Sequence, residues 1–240
     1  MKNLKRMISF YNNCSDAGPD ISAYAVFMDG CNLCCPYCMN SQLIKKREDV
    51  ETNILERLKK DVDKDKPELI FISGGEPTLN PLALLTISTL FKSWGCKVGM
   101  STNGTLPHTV EELVCRYKKI DYVALDLKGG VEEYKQLGSV DYYFNVLTSW
   151  MVLRKEKEER KNFDYEIRTT LYPPFINTET IKSLSKLFKP DEKWVLQQFR
   201  KTSDMPNQNV KKIKIPSEKL LKEMLDEAKK SVPNTQMRYV

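Results

Sequence analysis

With 240 residues and 41% hydrophobic content the chain can bury a sizeable core; one domain is expected, its core over about 20–200 and a C-terminal loop and helix over 201–240. The net charge of +6 is spread over stretches of alternating sign, as from Arg154 to Lys161, and only Lys211, Lys212 and Lys214 form a modest basic patch, so nucleic acid is not an expected partner. No apolar run approaches a membrane span or a secretory leader, which excludes a helical membrane protein and, with seven cysteines, points to the reducing cytoplasm.

Short β-rich apolar runs alternate with amphipathic stretches along the chain. Strands are expected at Ala23–Met28, Leu69–Ser73, Lys97–Ser101, Tyr122–Asp126, Tyr165–Leu171 and Trp194–Phe199. Helices are expected near Val50–Val62, Leu82–Trp94, Val110–Tyr117, Tyr142–Glu158, Thr178–Phe188 and Ser217–Ser231. The last carries Leu220, Leu221, Met224, Leu225 and Ala228 on one face, with Ser217 placed to start it. Strand–helix alternation predicts a parallel sheet with right-handed crossovers. Six units are too few for a closed eight-stranded barrel, so the expected α/β architecture is a partial, open (β/α)6 barrel. The polar stretch Thr202–Lys214 is read as a loop that orders only on partner binding.

The cysteine loop Gly30–Asn40 (GCNLCCPYCMN) follows the first expected strand. Cys31, Cys35 and Cys38 are spaced by three and then two residues. Three thiolates hold only three irons of a cubane 4Fe–4S cluster, and the fourth iron is left open to bind and reduce a small ligand. Cys34 adds a fourth thiol, so the run also parses as two CxxC pairs, and zinc or disulfides are the alternatives. Structural zinc takes its pairs from separate turns, whereas these abut, and disulfides require an oxidising compartment. Cys34 is read as a non-ligand, and Cys14, Cys96 and Cys115 as ordinary thiols. Ligands of parallel α/β sheets bind at the carboxyl ends of the strands. Ser73–Thr78 (SGGEPT), Ser101–Gly104 (STNG), Asp126–Lys128 (DLK), Arg168–Thr170 (RTT) and Gln197–Gln198 all fall at such ends. The single histidine, His108, follows Pro107 and is read as an exposed helix-start residue.

Together these segments resemble the radical S-adenosylmethionine (SAM) superfamily from about Ser15 to Phe199, with Tyr37 completing the cysteine signature. Ile120–Lys128 (IDYVALDLK), Tyr165–Thr170 (YEIRTT) and Trp194–Phe199 (WVLQQF) extend the likeness to the anaerobic ribonucleoside-triphosphate reductase activating proteins, a branch of the glycyl-radical-enzyme activases. The resemblance implies a partial barrel, a 4Fe–4S cluster on Cys31, Cys35 and Cys38, and SAM chelating the open iron. It implies one-electron cleavage of SAM to methionine and a 5′-deoxyadenosyl radical. That radical would take a hydrogen from a glycine of the reductase, with a flavodoxin- or ferredoxin-like protein as electron donor.

The same resemblance implies cofactor contacts at Tyr37, Gly74, Gly75, Glu76, Pro77, Ser101, Asn103, Asp126, Lys128, Arg168 and Gln197. Gly74 and Gly75 remove side chains where backbone must approach a ligand. Glu76 is the expected anion for the SAM amino group. Lys128 and Arg168 are expected at its carboxylate and ribose hydroxyls, the planar arginine fork suiting a carboxylate. Taken alone, Lys128 and Arg168 also read as structural ion-pair members, and Asp126 as orienting Lys128 or binding a cation. Met39 stands where that branch usually has histidine, Ser101 where activases often have aspartate, and Ser15–Asp20 replaces the usual approach to the first strand. None of these touches the cluster ligands. A second reading is a compact radical SAM enzyme acting on a small heterocycle, such as a 7-carboxy-7-deazaguanine synthase. A third is an electron carrier with Cys34 as the fourth ligand.

Overall fold

The central strands carry apolar residues at consecutive positions, and such runs are stable only where both faces of a sheet are covered. In the computed structural model, which describes residues 7–12, 22–45, 53–202 and 205–239, one eight-stranded sheet meets that demand. Its strands are β1 (Met7–Asn12), β2 (Ala23–Met28), β3 (Leu69–Gly74), β4 (Lys97–Thr102), β5 (Tyr122–Asp126), β6 (Asp164–Thr170), β7 (Trp194–Gln197) and β8 (Gln236–Arg238). They lie side by side in chain order, β1 antiparallel to β2 and every later pair parallel.

Helices α1 (Ile54–Asp65), α2 (Pro81–Ser93), α3 (Pro107–Glu111), α4 (Val131–Gln136), α5 (Val140–Glu159), α6 (Thr178–Ser185) and α7 (Glu218–Lys229) connect them. One face of the sheet, with Val26, Ile70, Ile72, Val98, Met100 and Val123, shares a large core with Leu58, Phe91, Trp150, Leu184 and Met224 of the helices. The alternate residues Ala23, Ala25, Leu69, Phe71 and Ala124 form a smaller cluster on the other face. Phe71 fits there because β4 lacks a side chain at Gly99, where a methyl group would lie 2.5 Å from the ring.

The six expected strands are β2 to β7, and the expected open α/β barrel stands. Two edge strands were not foreseen. β1 extends one side and β8, only three residues long, extends the other. Helix α4, only six residues long, was also not foreseen. The helix expected from Val110 begins earlier, with Pro107 at its first position, and passes directly into a π-helical turn over Glu112–Arg116. Ser217 caps α7 by accepting from the Leu220 N–H, as its position suggested.

The expectation for Thr202–Lys214 needs correction. Met205 and Val210 are buried in the core and residues 208–212 form a 3-10 turn, so the described part is docked without a partner. Cys14, Ser15–Asp20 and the first residues of the Val50 helix lie outside the described residues. No helix among the described residues is long and apolar enough to cross a membrane.

Candidate active site

A parallel sheet places the carboxyl ends of its strands on one rim, and the loops that follow them face one another there. A single cavity on that rim is lined by Cys31, Cys35, Tyr37 and Cys38, by Gly74, Gly75 and Glu76, by Ser101 and Asn103, by Asp126 and Lys128, and by Arg168 and Gln197. Of the residues expected at the site, only Pro77 is missing; it is buried as the first residue of a 3-10 turn. Residues from the ends of six different strands, far apart in the chain, thus share one space. His108 is highly exposed at the start of α3, and Cys96 and Cys115 do not line the cavity.

The cysteine loop is clamped at its base. The Gly30 N–H donates to the Leu43 carbonyl at 2.7 Å and the Cys31 N–H to the Ile44 carbonyl at 3.0 Å. On its other side the Gly75 N–H donates to the Met28 carbonyl and the Glu76 N–H to the Gly30 carbonyl. This packing explains the glycine pair. A Cβ at Gly75 would sit 2.1 Å from the Gly30 carbonyl oxygen, and Gly74, at φ +117°, would meet the Met28 carbonyl oxygen at 2.2 Å. The close approach is to the end of β2 and the loop that follows it, a reason the sequence alone did not supply.

Cys35 is buried, Cys31 and Cys38 are partly exposed, and Cys34 is exposed. Burial pushes the Cys31 thiol up to about 12 and raises Cys35 and Cys38 as well, so the unliganded protein keeps these sulfurs protonated. Among the described residues no three His, Cys, Asp or Glu side chains are gathered to hold a single metal ion. The Tyr37 ring packs 4.6 Å from Tyr172 and 5.9 Å from Phe175, and its buried hydroxyl has no hydrogen-bond partner among the described residues.

Glu76 turns inward. Its Oε1 accepts from the Thr78 N–H, the Thr78 hydroxyl and the Thr102 hydroxyl, and its Oε2 accepts from the Asn103 N–H at 2.6 Å. This side chain thus ties two loops together, and Oε2, with one bonded donor, keeps a lone pair for a further one. Burial raises its carboxyl above the usual value, against the opposing pull of those donors. The Asn103 side chain is likewise occupied. Its Oδ1 accepts from the Thr105 N–H and hydroxyl, and its Nδ2 donates to Asn32, whose own Nδ2 donates to Thr105. Asn32 lies inside the cysteine loop, so this network joins it to the loops after β3 and β4. Asn32 and Thr105 were missed because nothing local marks a side chain that bonds to a partner some seventy residues away, and Thr102 likewise bonds Glu76 across 26 residues.

Ion pairs build the opposite side. Lys128 Nζ lies 2.9 Å from Asp126 Oδ2. Burial works against its charge, but Asp126 chiefly outweighs this and holds the ammonium well above the ordinary lysine value. Arg168 donates from Nε to the fully buried Glu166. Glu166 also takes Lys193 at 3.0 Å, Arg238 through both terminal nitrogens, and the Tyr122 hydroxyl at 2.7 Å. Burial alone would raise the Glu166 carboxyl, yet Arg168, Arg238 and Lys193 hold it far below the usual carboxylate range. Lys128 and Arg168 are therefore ion-pair members and cavity-lining residues at once. Thr170, Gln198 and Arg200 complete this wall, Arg200 reaching the Met39 sulfur at 3.4 Å.

A model of the radical SAM superfamily matches residues 25–157, more than half of the chain. The chain belongs to the radical SAM superfamily. A Methanocaldococcus jannaschii protein, MJ1227, provisionally named a glycyl-radical enzyme activating enzyme, is 32% identical over 222 residues, covering 92% of this chain and 91% of that protein. A 7-carboxy-7-deazaguanine synthase of Hyperthermus butylicus is 30% identical over 109 residues, 45% of this chain and 46% of that enzyme. Among solved structures, Streptococcus suis SuiB bound to SAM has a TM-score of 0.59 at 18% identity, covering 88% of this chain and 48% of SuiB. At that identity the likeness is one of fold, and it is the partial barrel read from the sequence. Radical SAM proteins bind a 4Fe–4S cluster and SAM, and this chain carries a donor set of matching chemistry. Three soft thiols of one loop open into one cavity beside a partly buried ammonium, a guanidinium and a phenol with no partner among the described residues.

Proposed function

We propose that this radical SAM protein is an activase that generates the glycyl radical of an anaerobic ribonucleoside-triphosphate reductase. The observation that carries the proposal is the relationship to MJ1227 across nearly the whole of both chains, where the deazaguanine synthase match stops at less than half. In this reading Cys31, Cys35 and Cys38 hold the cluster and Cys34 does not. When bound, the cluster and SAM supply a 5′-deoxyadenosyl radical through one-electron cleavage of a carbon–sulfur bond.

The protein's own work is binding, orientation and exclusion of water. Lys128 and Arg168, each pre-set by a carboxylate, receive the SAM carboxylate and ribose hydroxyls without having to reorganise. The Tyr37 phenol, buried without a partner among the described residues, donates to the bound cofactor and so regains the hydrogen bond it lacks. Gly74, Gly75 and the ordered Glu76 carboxylate hold the backbone of that wall, while Ser101, Asn103, Asp126 and Gln197 bound the remaining space. A glycine loop of the reductase enters by the open side of the barrel, and a flavodoxin- or ferredoxin-like protein delivers the electron.

The test is anaerobic reconstitution of the cluster, addition of SAM, a reductant and the anaerobic reductase from the same genome, and an EPR spectrum. A glycyl-radical doublet on the reductase is the expected result. Deoxyadenosine without that doublet would move the substrate to small heterocycles, the reading favoured by the partial match to the deazaguanine synthase. An intact cluster with neither signal would overturn both.

A further inference from the structure

The three cations gathered on one buried carboxylate are more than Glu166 needs for neutrality, and they differ in geometry. Arg168 and Lys193 each touch a single oxygen, Oε1 and Oε2 respectively. Arg238 spans the carboxylate, with Nη1 at 3.0 Å from Oε1 and Nη2 at 3.3 Å from Oε2. The terminal torsion of a glutamate is broad, and one-point contacts from separate side chains, Tyr122 on Oε2 among them, restrain the carboxylate plane less than a two-point fork from one planar guanidinium. That plane sets the direction in which Oε1 meets Arg168 Nε, and Arg168 is the member of the group that lines the cavity. Arg238 itself stands outside the cavity, on β8, the three-residue strand paired with β7 through Gln197 and, beyond the strand end, Gln198.

We propose that Arg238 is a positioning residue: through Glu166 it aims the Arg168 guanidinium at the anionic group of SAM, and strand β8 with its connecting helix α7 exists in part to deliver it. The inference rests on reading Arg168 as a SAM contact. It assigns a role in cofactor affinity to a residue some seventy positions from Arg168 and at the far edge of the sheet.

The experiment is equilibrium titration of SAM into the reconstituted protein, alongside melting temperatures without SAM, for wild type, Arg238→Gln, Arg238→Lys and Lys193→Gln. Both Arg238 variants are expected to weaken SAM binding about tenfold, on the scale of one charge-assisted hydrogen bond, and Lys193→Gln by less than about twofold. The kcat for deoxyadenosine formation at saturating SAM should fall far less than the affinity. If Arg238→Lys restores wild-type affinity, or Lys193→Gln weakens it equally, charge alone matters and the positioning role is overturned. Lower melting temperatures with unchanged affinity would reduce β8 to a structural edge and equally overturn it. A wild-type protein with an intact cluster that fails to bind SAM would instead sink the activase reading, and this inference with it.

Discussion

The two walls of the cavity are held by opposite means. On the β2–β4 side the organising carboxylate is Glu76, bonded only to neutral donors, and its carboxyl lies above its ordinary value. On the β5–β8 side it is Glu166, ringed by Arg168, Lys193 and Arg238, and its carboxyl lies well below. Both side chains are essentially inaccessible, so burial penalises both charges alike; the partners decide the sign. The neutral wall keeps three loops in register around the thiols. The charged wall keeps cations in fixed directions. Register is served by many short neutral hydrogen bonds, and electrostatic aim by ion pairs whose geometry is set before the ligand arrives.

This contrast can be broken most severely at the thiols. Each of Cys31→Ala, Cys35→Ala and Cys38→Ala is expected to bring deoxyadenosine formation to background after anaerobic reconstitution, while Cys34→Ala leaves it intact. Loss of activity in Cys34→Ala as well would place that exposed thiol among the ligands.

Next in size is removal of the charged hub. Glu166→Ala leaves three cations around a buried void, and destabilisation of about 3–5 kcal/mol is expected in urea unfolding of the unliganded protein. Glu76→Gln should cost less, about 1–3 kcal/mol, because one amide orientation keeps the three donors on Oε1 and sets a single N–H against that of Asn103. Equal losses in the two variants would mean that the walls are not built differently.

The smallest effect is the most diagnostic. A raised carboxyl such as Glu76 makes the folded state hold its proton more tightly. Its contribution to stability therefore falls as pH rises from about 4.3 through the raised value. The depressed Glu166 does the reverse, contributing fully above about pH 4.3 and losing that contribution as pH falls below it. Melting temperatures against pH should show the gap between wild type and Glu166→Gln shrinking toward acid. The gap between wild type and Glu76→Gln should widen as pH falls through the raised value toward about 4.3, above the range in which the Glu166 gap shrinks. Parallel slopes for the two variants would contradict the opposite shifts.

Much of this was legible before any coordinates. The strands β2 to β7 are apolar runs whose ends carry Gly, Asn, Asp, Lys and Arg in place of hydrophobics, and a parallel sheet leaves such residues nowhere to gather but one rim. The spacing of Cys31, Cys35 and Cys38 within a single loop was the signal that pointed to an open-iron cluster. What stayed hidden was of another kind. Asn32 looks like a loop asparagine until Asn103 and Thr105 are brought to it, and Glu166 looks like one more strand glutamate until Arg238 returns from the far end of the chain.

The sequence by itself thus determined the alternating α/β order and the open barrel, and all but Pro77 of the residues expected at the site line the cavity. These follow from local signals: periodicity, turn residues and a short motif. Only the tertiary structure decided that Gly74 and Gly75 make room for the end of β2 and the loop that follows it, that Glu76 and Asn103 turn inward, and that a three-residue strand supplies Arg238 to Glu166. The physical reason is distance along the chain. A hydrogen bond between residues some seventy positions apart leaves no periodic trace, because either partner satisfies its local rules equally well without the other.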